Sequence, residues 1–237
     1  MSSLESEAVS MKTQKSGDRI LAVLRGVSGM VAHVASVAFT IYIFYISSPG
    51  SSLFSWHPSL MSLAFACLMT EAILVFSPES SLLIKASRKT KVRVHWILQT
   101  CAVISGILGF SAIVLNKIQN KKEHFKSWHG TFGLMTMIYV IVQALCGIFL
   151  LYPQAAKKWN WKLMQLKVYH ATFGLLGFTL ACVTIILSLF SNFVVKSAQV
   201  DGFIWGLCFF CPTWCCFIIM NQVTNTYLPI TRKSAPL

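Results

Sequence analysis

The chain has 237 residues, 55% of them hydrophobic and only 11% charged, with a formal net charge of +13. A soluble domain carries about a quarter charged residues, and the mean hydropathy here is +0.66. What lies between the apolar stretches is too short to hold a core of its own, which excludes a soluble catalytic domain, a receptor ectodomain and an appended nucleotide-binding unit.

Residues 1–26 open with a polar run containing Glu5, Glu7, Lys12, Lys15, Asp18 and Arg19. A cleavable signal peptide would place a short apolar run directly after a basic start, and this run does not, so 1–26 is expected to remain as a cytoplasmic segment. Apolar stretches then follow at 27–47, 57–76, 94–115, 130–152, 168–190 and 202–221. Each matches the roughly 20 residues that a helix needs to cross a bilayer. The expectation is an all-α membrane protein with six transmembrane helices, a membrane domain over 27–221 and a cytoplasmic tail over 222–237.

Orientation follows from charge. With six spans, fifteen of the twenty Lys and Arg residues fall on the side that carries both termini, against five on the other. The positive-inside rule puts that richer side in the cytoplasm. The net charge therefore needs no nucleic acid to explain it; a surface against anionic lipid headgroups suffices.

Cys67, Cys101, Cys146 and Cys182 stand singly in spans, while Cys208, Cys211, Cys215 and Cys216 share the last one. Cys-x-x-Cys spacing can signal metal or redox chemistry. In an apolar helix, packing as a small hydrophobe is the stronger reading.

The histidines carry the chemistry. His57 and His129 open spans 2 and 4 in similar runs, Ser55-Trp56-His57-Pro58 and Ser127-Trp128-His129-Gly130. His95 and His170 open spans 3 and 5. Adjacent spans run antiparallel, so His57 and His129 share one membrane face and His95 and His170 the other. Facing helices of a bundle core commonly hold a cofactor, and ionisable side chains inside a bilayer are costly and usually functional. Zinc would want three or four converging ligands, whereas a flat apolar haem b takes two axial imidazoles and, once six-coordinate, transfers electrons. The expected core is therefore a four-helix bundle of spans 2–5 holding two b-type haems, one near each surface. A His-lined proton or metal-ion pathway and a non-catalytic membrane scaffold are the rival readings. Gly130, Gly133, Gly174 and Gly177, near the ligands, suit either porphyrin approach or close helix packing.

The six spans with these four histidines, and the segments SSLFSWHP, MTEAILVFSPESSLL, LKVYHATFGL and IIMNQV, resemble the cytochrome b561 family, most closely its short, domain-containing branch, over about residues 25–230. The resemblance implies two bis-His haem b groups on His57, His95, His129 and His170. It also implies electron transfer from cytosolic ascorbate to a lumenal acceptor, either monodehydroascorbate or ferric chelates. The short branch suggests endoplasmic reticulum or cytoplasmic vesicle membranes, and a homodimer is compatible with these residues. Ascorbate-specific members continue their AILVF run with Tyr and Arg; here the run ends Phe76-Ser77-Pro78-Glu79.

Ascorbate is an anion, so its dock should be basic and lie near the cytoplasmic pair. Arg88, Lys89, Lys91 and Arg93 precede His95, and Lys167 precedes His170. His124 lies five residues before His129; the resemblance puts a His at this offset beside the second ascorbate or ferric chelate. Glu71, the one acid within the spans, should approach the cytoplasmic haem, bonding a ligand His, neutralising charge or carrying a proton. His33 reads as a packed or hydrogen-bonded core residue.

Overall fold

A computed structural model describes residues 3–197 and 202–234 and contains helices and turns only among them. Six helices are long and apolar enough to cross a membrane. They are α1 (Ser3–Ser47), α2 (Leu53–Leu74), α3 (Arg88–Gln119), α4 (Trp128–Leu151), α5 (Leu163–Ser188) and α6 (Gly202–Ser234). Short helices Pro153–Lys158 and Asn192–Ser197 lie in the connections that follow α4 and α5. The chain is thus a multi-pass membrane protein, as its composition requires.

The helices overrun the apolar stretches at their polar ends. The basic run Arg88–Arg93 forms the first two turns of α3 and is not a loop, because Ser87 caps that helix by accepting from Thr90 N–H. Ser127 caps α4 in the same way, accepting from Gly130 N–H at 3.1 Å. Such caps satisfy backbone donors that a helix start leaves without partners. The start of α2 differs. Its cap is Ser52, reciprocated by Ser55, so the two Ser-Trp-His runs sit at different depths in their helices. At the chain ends, α1 passes through 3–26 into the first span without a break, and α6 carries on through 222–234. Residues 1–2, 198–201 and 235–237 of the expected segments lie outside the described residues.

The helices pack as two antiparallel hairpins, α2 with α3 and α4 with α5, with α1 and α6 laid together along the α2 and α5 side. Half of the α2 window is buried, more than in any other span, because α1, α3 and α5 all touch it. Buried hydroxyls join α1 to α2: Ser47 and Ser59 share a hydrogen bond at 2.6 Å, and Thr40 donates to Ser62 O. Buried thiols join α6 to α1, with Cys211 donating to Ala35 O at 3.2 Å and Cys215 to Ala32 O at 3.7 Å. That contact uses the cysteine cluster as packing, and among the described residues no group of three His, Cys, Asp or Glu could hold a metal ion. Exposed Trp56 and Trp128 mark one end of the bundle, and Trp96, Trp159 and Trp161 the other, as aromatic belts do at membrane surfaces.

Candidate functional site: two facing histidine pairs

His57 of α2 faces His129 of α4 with ring centres 6.1 Å apart and planes at 70°. His95 of α3 faces His170 of α5 at 6.4 Å and 82°. Each pair therefore joins one hairpin to the other. Two imidazoles that ligate one metal through facing ring nitrogens, at about 2 Å per bond, hold their centres roughly 6 Å apart. Both pairs meet that spacing.

The protonation of the rings fits ligation as well. His57 Nδ1 lies 3.0 Å from Gly109 O, His95 Nδ1 2.8 Å from Ala72 O and His129 Nδ1 3.0 Å from Thr184 O. A carbonyl only accepts, so each Nδ1 carries the proton. Nε2 keeps its lone pair, which is the tautomer that a ligating His needs. His170 differs: its Nδ1 lies 3.1 Å from the side-chain amide nitrogen of Gln143, which also donates to His170 O at 2.7 Å.

These braces obey a simple spacing. His95 and Gly109 are fourteen residues apart, as are His170 and Thr184, and His129 and Gln143. At 1.5 Å per residue this separates the two layers by about 21 Å. His57 and Ala72 are fifteen apart, and α2 absorbs the extra residue in a π-helical turn over Ser62–Leu68, the usual way of inserting one residue into a helix. Within each hairpin the bracing is reciprocal. Glycines then let the parts meet. A Cβ on Gly147 would come 3.2 Å from His170 Cε1, and one on Gly177 would come 2.8 Å from the Tyr139 ring. Gly177 thus serves close packing of α4 on α5, while Gly147, which the sequence reading passed over, makes room for the His170 ring.

Around the His95 and His170 layer, Lys91 and Lys167 are half-buried, whereas Arg88, Lys89 and Arg93 are exposed. Lys91 precedes His95 by four residues and Lys167 precedes His170 by three, which are the spacings that share a helix face. Phe76 packs on His95 with ring centres 5.2 Å apart. Glu79 faces Arg25 at 3.8 Å near the surface.

Glu71 bonds none of the four histidines. Its carboxylate meets His33 Nδ1 at 2.7 Å and accepts from Ser36 Oγ at 3.2 Å, while His33 Nε2 donates to Ser80 O at 3.0 Å. This buried pair ties α1 to α2 and to the loop after it, and it leaves the next residue's carbonyl, Ala72 O, to receive the His95 proton. His33 is a hydrogen-bonded core residue, as expected.

At the other layer, the segment after α3 curls back on itself. Lys121 and Phe125 adopt positive φ of 51° and 54°, and Lys117 Nζ donates to Glu123 O at 2.8 Å. The fold-back stacks Phe125 on Phe110 at 6.3 Å and sets His124 against Phe125 at 5.8 Å. Phe110 adjoins Gly109, the brace of His57, so His124 stands two ring contacts and one residue from that brace.

The sequence model of eukaryotic cytochrome b561 matches residues 56–196, which hold all four histidines. The chain belongs to the cytochrome b561 family. It is 46% identical over 221 residues to a bovine (Bos taurus) protein named transmembrane reductase CYB561D2, covering 93% of this chain and 96% of that protein. The Homo sapiens protein of that name is 45% identical over the same shares. A Mus musculus protein named probable transmembrane reductase CYB561D1 is 44% identical over 211 residues, 89% of this chain and 90% of its own length. As a cytochrome b561 reductase the protein binds haem b and transfers electrons across a membrane. The apolar walls and the imidazole pairs of this fold suit that cofactor.

Proposed function

We propose that this chain carries electrons from cytosolic ascorbate, through two haem b groups, to monodehydroascorbate radical or ferric chelates on the lumenal side. The observation that carries the reading is the pair of facing imidazole couples, each at the centre-to-centre spacing of a shared metal. His95 and His170 hold the haem on the side of both termini, which is the cytoplasm, and His57 and His129 hold the lumenal one. Haem supplies a one-electron iron couple when bound.

The protein's own residues bind, orient and exclude water. The carbonyl braces of His57, His95 and His129 fix those rings about their axes and hold the proton on Nδ1, leaving Nε2 without one. Phe65, Met137 and Phe178 are buried in the apolar core, and a Cβ on Gly106 would touch both Phe65 and Met137 at 3.4 Å. That dry packing lies between the two layers and keeps ions from following the electron. Lys91 and Lys167, one turn out from the ligands, attract the ascorbate anion; Arg88, Lys89 and Arg93 extend the positive field outward. These five replace the Arg that ascorbate-specific relatives carry after AILVF. At the lumenal end, His124 offers a hydrogen bond or an iron-binding nitrogen at the edge of the His57 and His129 layer. The termini are cytoplasmic, and the membrane is endoplasmic reticulum or a cytoplasmic vesicle.

The test is an absorption spectrum of purified protein and of ligand variants in sealed vesicles. Wild type should show two haems per chain and a split alpha band on adding ascorbate. His57→Ala or His129→Ala should leave one haem, still reduced from the cytoplasmic side. His95→Ala or His170→Ala should abolish that reduction. Colourless protein after expression with ample haem would sink the proposal, and the same residual haem in His57→Ala and His95→Ala would sink the pairing.

A further inference from the structure

The segment between α3 and α4 is basic on the side of the membrane where basic residues should be scarce. Of the five lysines and arginines on the side away from both termini, four fall within residues 117–126, with Glu123 as the one acid among them. The positive-inside rule gives no reason for that concentration, so topology does not account for Lys117, Lys121, Lys122 and Lys126. We infer that this fold-back selects electron acceptors by charge: it draws in anions, such as monodehydroascorbate and carboxylate-chelated ferric iron, and repels ferric cations. The inference rests on the sidedness and the electron route proposed above and names the charge class of their acceptor.

The fold-back holds its charge beside the His57 and His129 pair. On one flank Phe125 stacks on Phe110, which adjoins Gly109, and the Gly109 carbonyl braces His57. On the other flank Phe125 O accepts from Thr131 Oγ1 at 3.2 Å. A Cβ on Gly130, the residue after His129, would come 3.3 Å from Phe125 Cα. One phenylalanine thus pins the segment next to both histidines. The turn itself closes through Lys117: its carbonyl accepts from Lys122 N–H at 2.9 Å, and its Nζ donates to Glu123 O at 2.8 Å. A carbonyl carries no net charge, so the half-buried Lys117 ammonium keeps its charge and two further donors. Lys121, Lys122 and Lys126 are exposed. Glu123 reaches Lys126 at 3.6 Å and offsets one charge of the four.

Electron exit moves one electron and no heavy atom. The ferric iron of a chelate becomes ferrous, or monodehydroascorbate takes the electron and a proton from water to become ascorbate. Charges of one sign beside an exit raise the local concentration of the opposite ion and speed its encounter by about 10- to 1,000-fold. They depress the encounter of like ions by the same interaction. Selection by charge therefore acts before any acceptor touches the protein.

The experiment uses the full-length protein in vesicles loaded with ascorbate, so that chains with the cytoplasmic face inward are reduced and an acceptor added outside meets the fold-back. Two membrane-impermeant acceptors are compared by stopped-flow reoxidation: ferricyanide, a trianion, and hexaammineruthenium(III), a trication. With wild type, rising salt should slow ferricyanide and speed the trication as the Debye length shortens to about 8 Å. Combining Lys117→Gln, Lys122→Gln and Lys126→Gln should slow ferricyanide about tenfold in low salt and speed the trication by a similar factor. Glutamine at position 117 keeps a donor for Glu123 O. A structural disturbance would move both acceptors the same way, so parallel changes, or none, would overturn the inference. Should the triple variant not hold its haem, Glu123→Gln decides alone, with ferricyanide expected to speed up and the trication to slow. Wild type that passes electrons to neither acceptor would overturn the electron route itself, and this inference with it.

Discussion

Removing the Glu71 carboxylate should destabilise the bundle far more than its single contact suggests, and removing His33 with it should restore much of the loss. The two side chains are 18% and 7% exposed and meet at 2.7 Å. Breaking a buried pair from one side costs about 3–5 kcal/mol, because the remaining group is left without its partner. The bond from Ser36 adds about 1 kcal/mol. His33→Leu with Glu71→Leu leaves neither group stranded, and only Ser80 O loses a donor, so the double variant should cost about 1–3 kcal/mol. The single costs then exceed the double by at least about 4 kcal/mol, many times the 0.3–0.5 kcal/mol within which independent sites add. The assay is reversible unfolding in mixed micelles by denaturing detergent, followed by helical circular dichroism, on wild type, both single variants and the double. Costs that add to within about 0.5 kcal/mol would show that the pair is not a unit, and the account of how α1 is fastened to α2 would fall.

Two further outcomes concern the substrates. Neutralising Lys91 and Lys167 together should raise the KM for ascorbate about thirtyfold with kcat little changed, since two close charges in water are worth roughly 1 kcal/mol each; neutralising Lys89 and Arg93 should have a smaller effect, fading as salt shortens the Debye length to about 8 Å. Steady-state kinetics in low and physiological salt compare the two pairs, and equal effects would remove the distinction between half-buried and exposed lysines. His124→Ala should keep both haem spectra and fast cytoplasmic reduction but slow reoxidation by lumenal monodehydroascorbate or ferric chelate; stopped-flow reoxidation at the wild-type rate with both acceptors would make it a loop residue.

The six spans and the two histidine pairs are legible in the amino-acid order because each rests on side chains. Twenty apolar residues in a row have one physical solution in a bilayer, and four histidines at alternate ends of antiparallel helices can pair in one way. The braces are harder to read. Ala72, Gly109 and Thr184 act through backbone carbonyls, which every residue has, so their side chains carry no signal. Gln143 is the exception, since an amide in the middle of an apolar span, fourteen residues after His129, is visible once the spacing is known. The π-helical turn in α2 leaves no mark in composition, although the spacing of fifteen from His57 to Ala72 betrays it afterwards. The partnership of His33 and Glu71 lies 38 residues apart across two spans, and no periodicity within either helix points to it. Glu71 was expected to approach the cytoplasmic haem; its carboxylate instead bonds His33 and Ser36 on α1, and the carbonyl of its neighbour Ala72 meets His95. The overrun of α3 through Arg88–Arg93 reflects a serine cap, which outweighs the polar run that otherwise reads as a loop.

The reciprocal bracing has a consequence for biosynthesis. Each hairpin orients its own two histidines internally, His57 and His95 in the first, His129 and His170 in the second, yet each hairpin holds only one histidine of either facing pair. A nascent chain that has released α2 and α3 into the membrane already displays two correctly turned imidazoles facing lipid, with nothing opposite them. On the ligation proposed above, completion waits for the second hairpin, so cofactor capture and the closing of the bundle are one event. Shortage of haem during synthesis would then leave two formed but unjoined halves, and the quality-control machinery of the membrane would meet the protein as a pair of exposed hairpins.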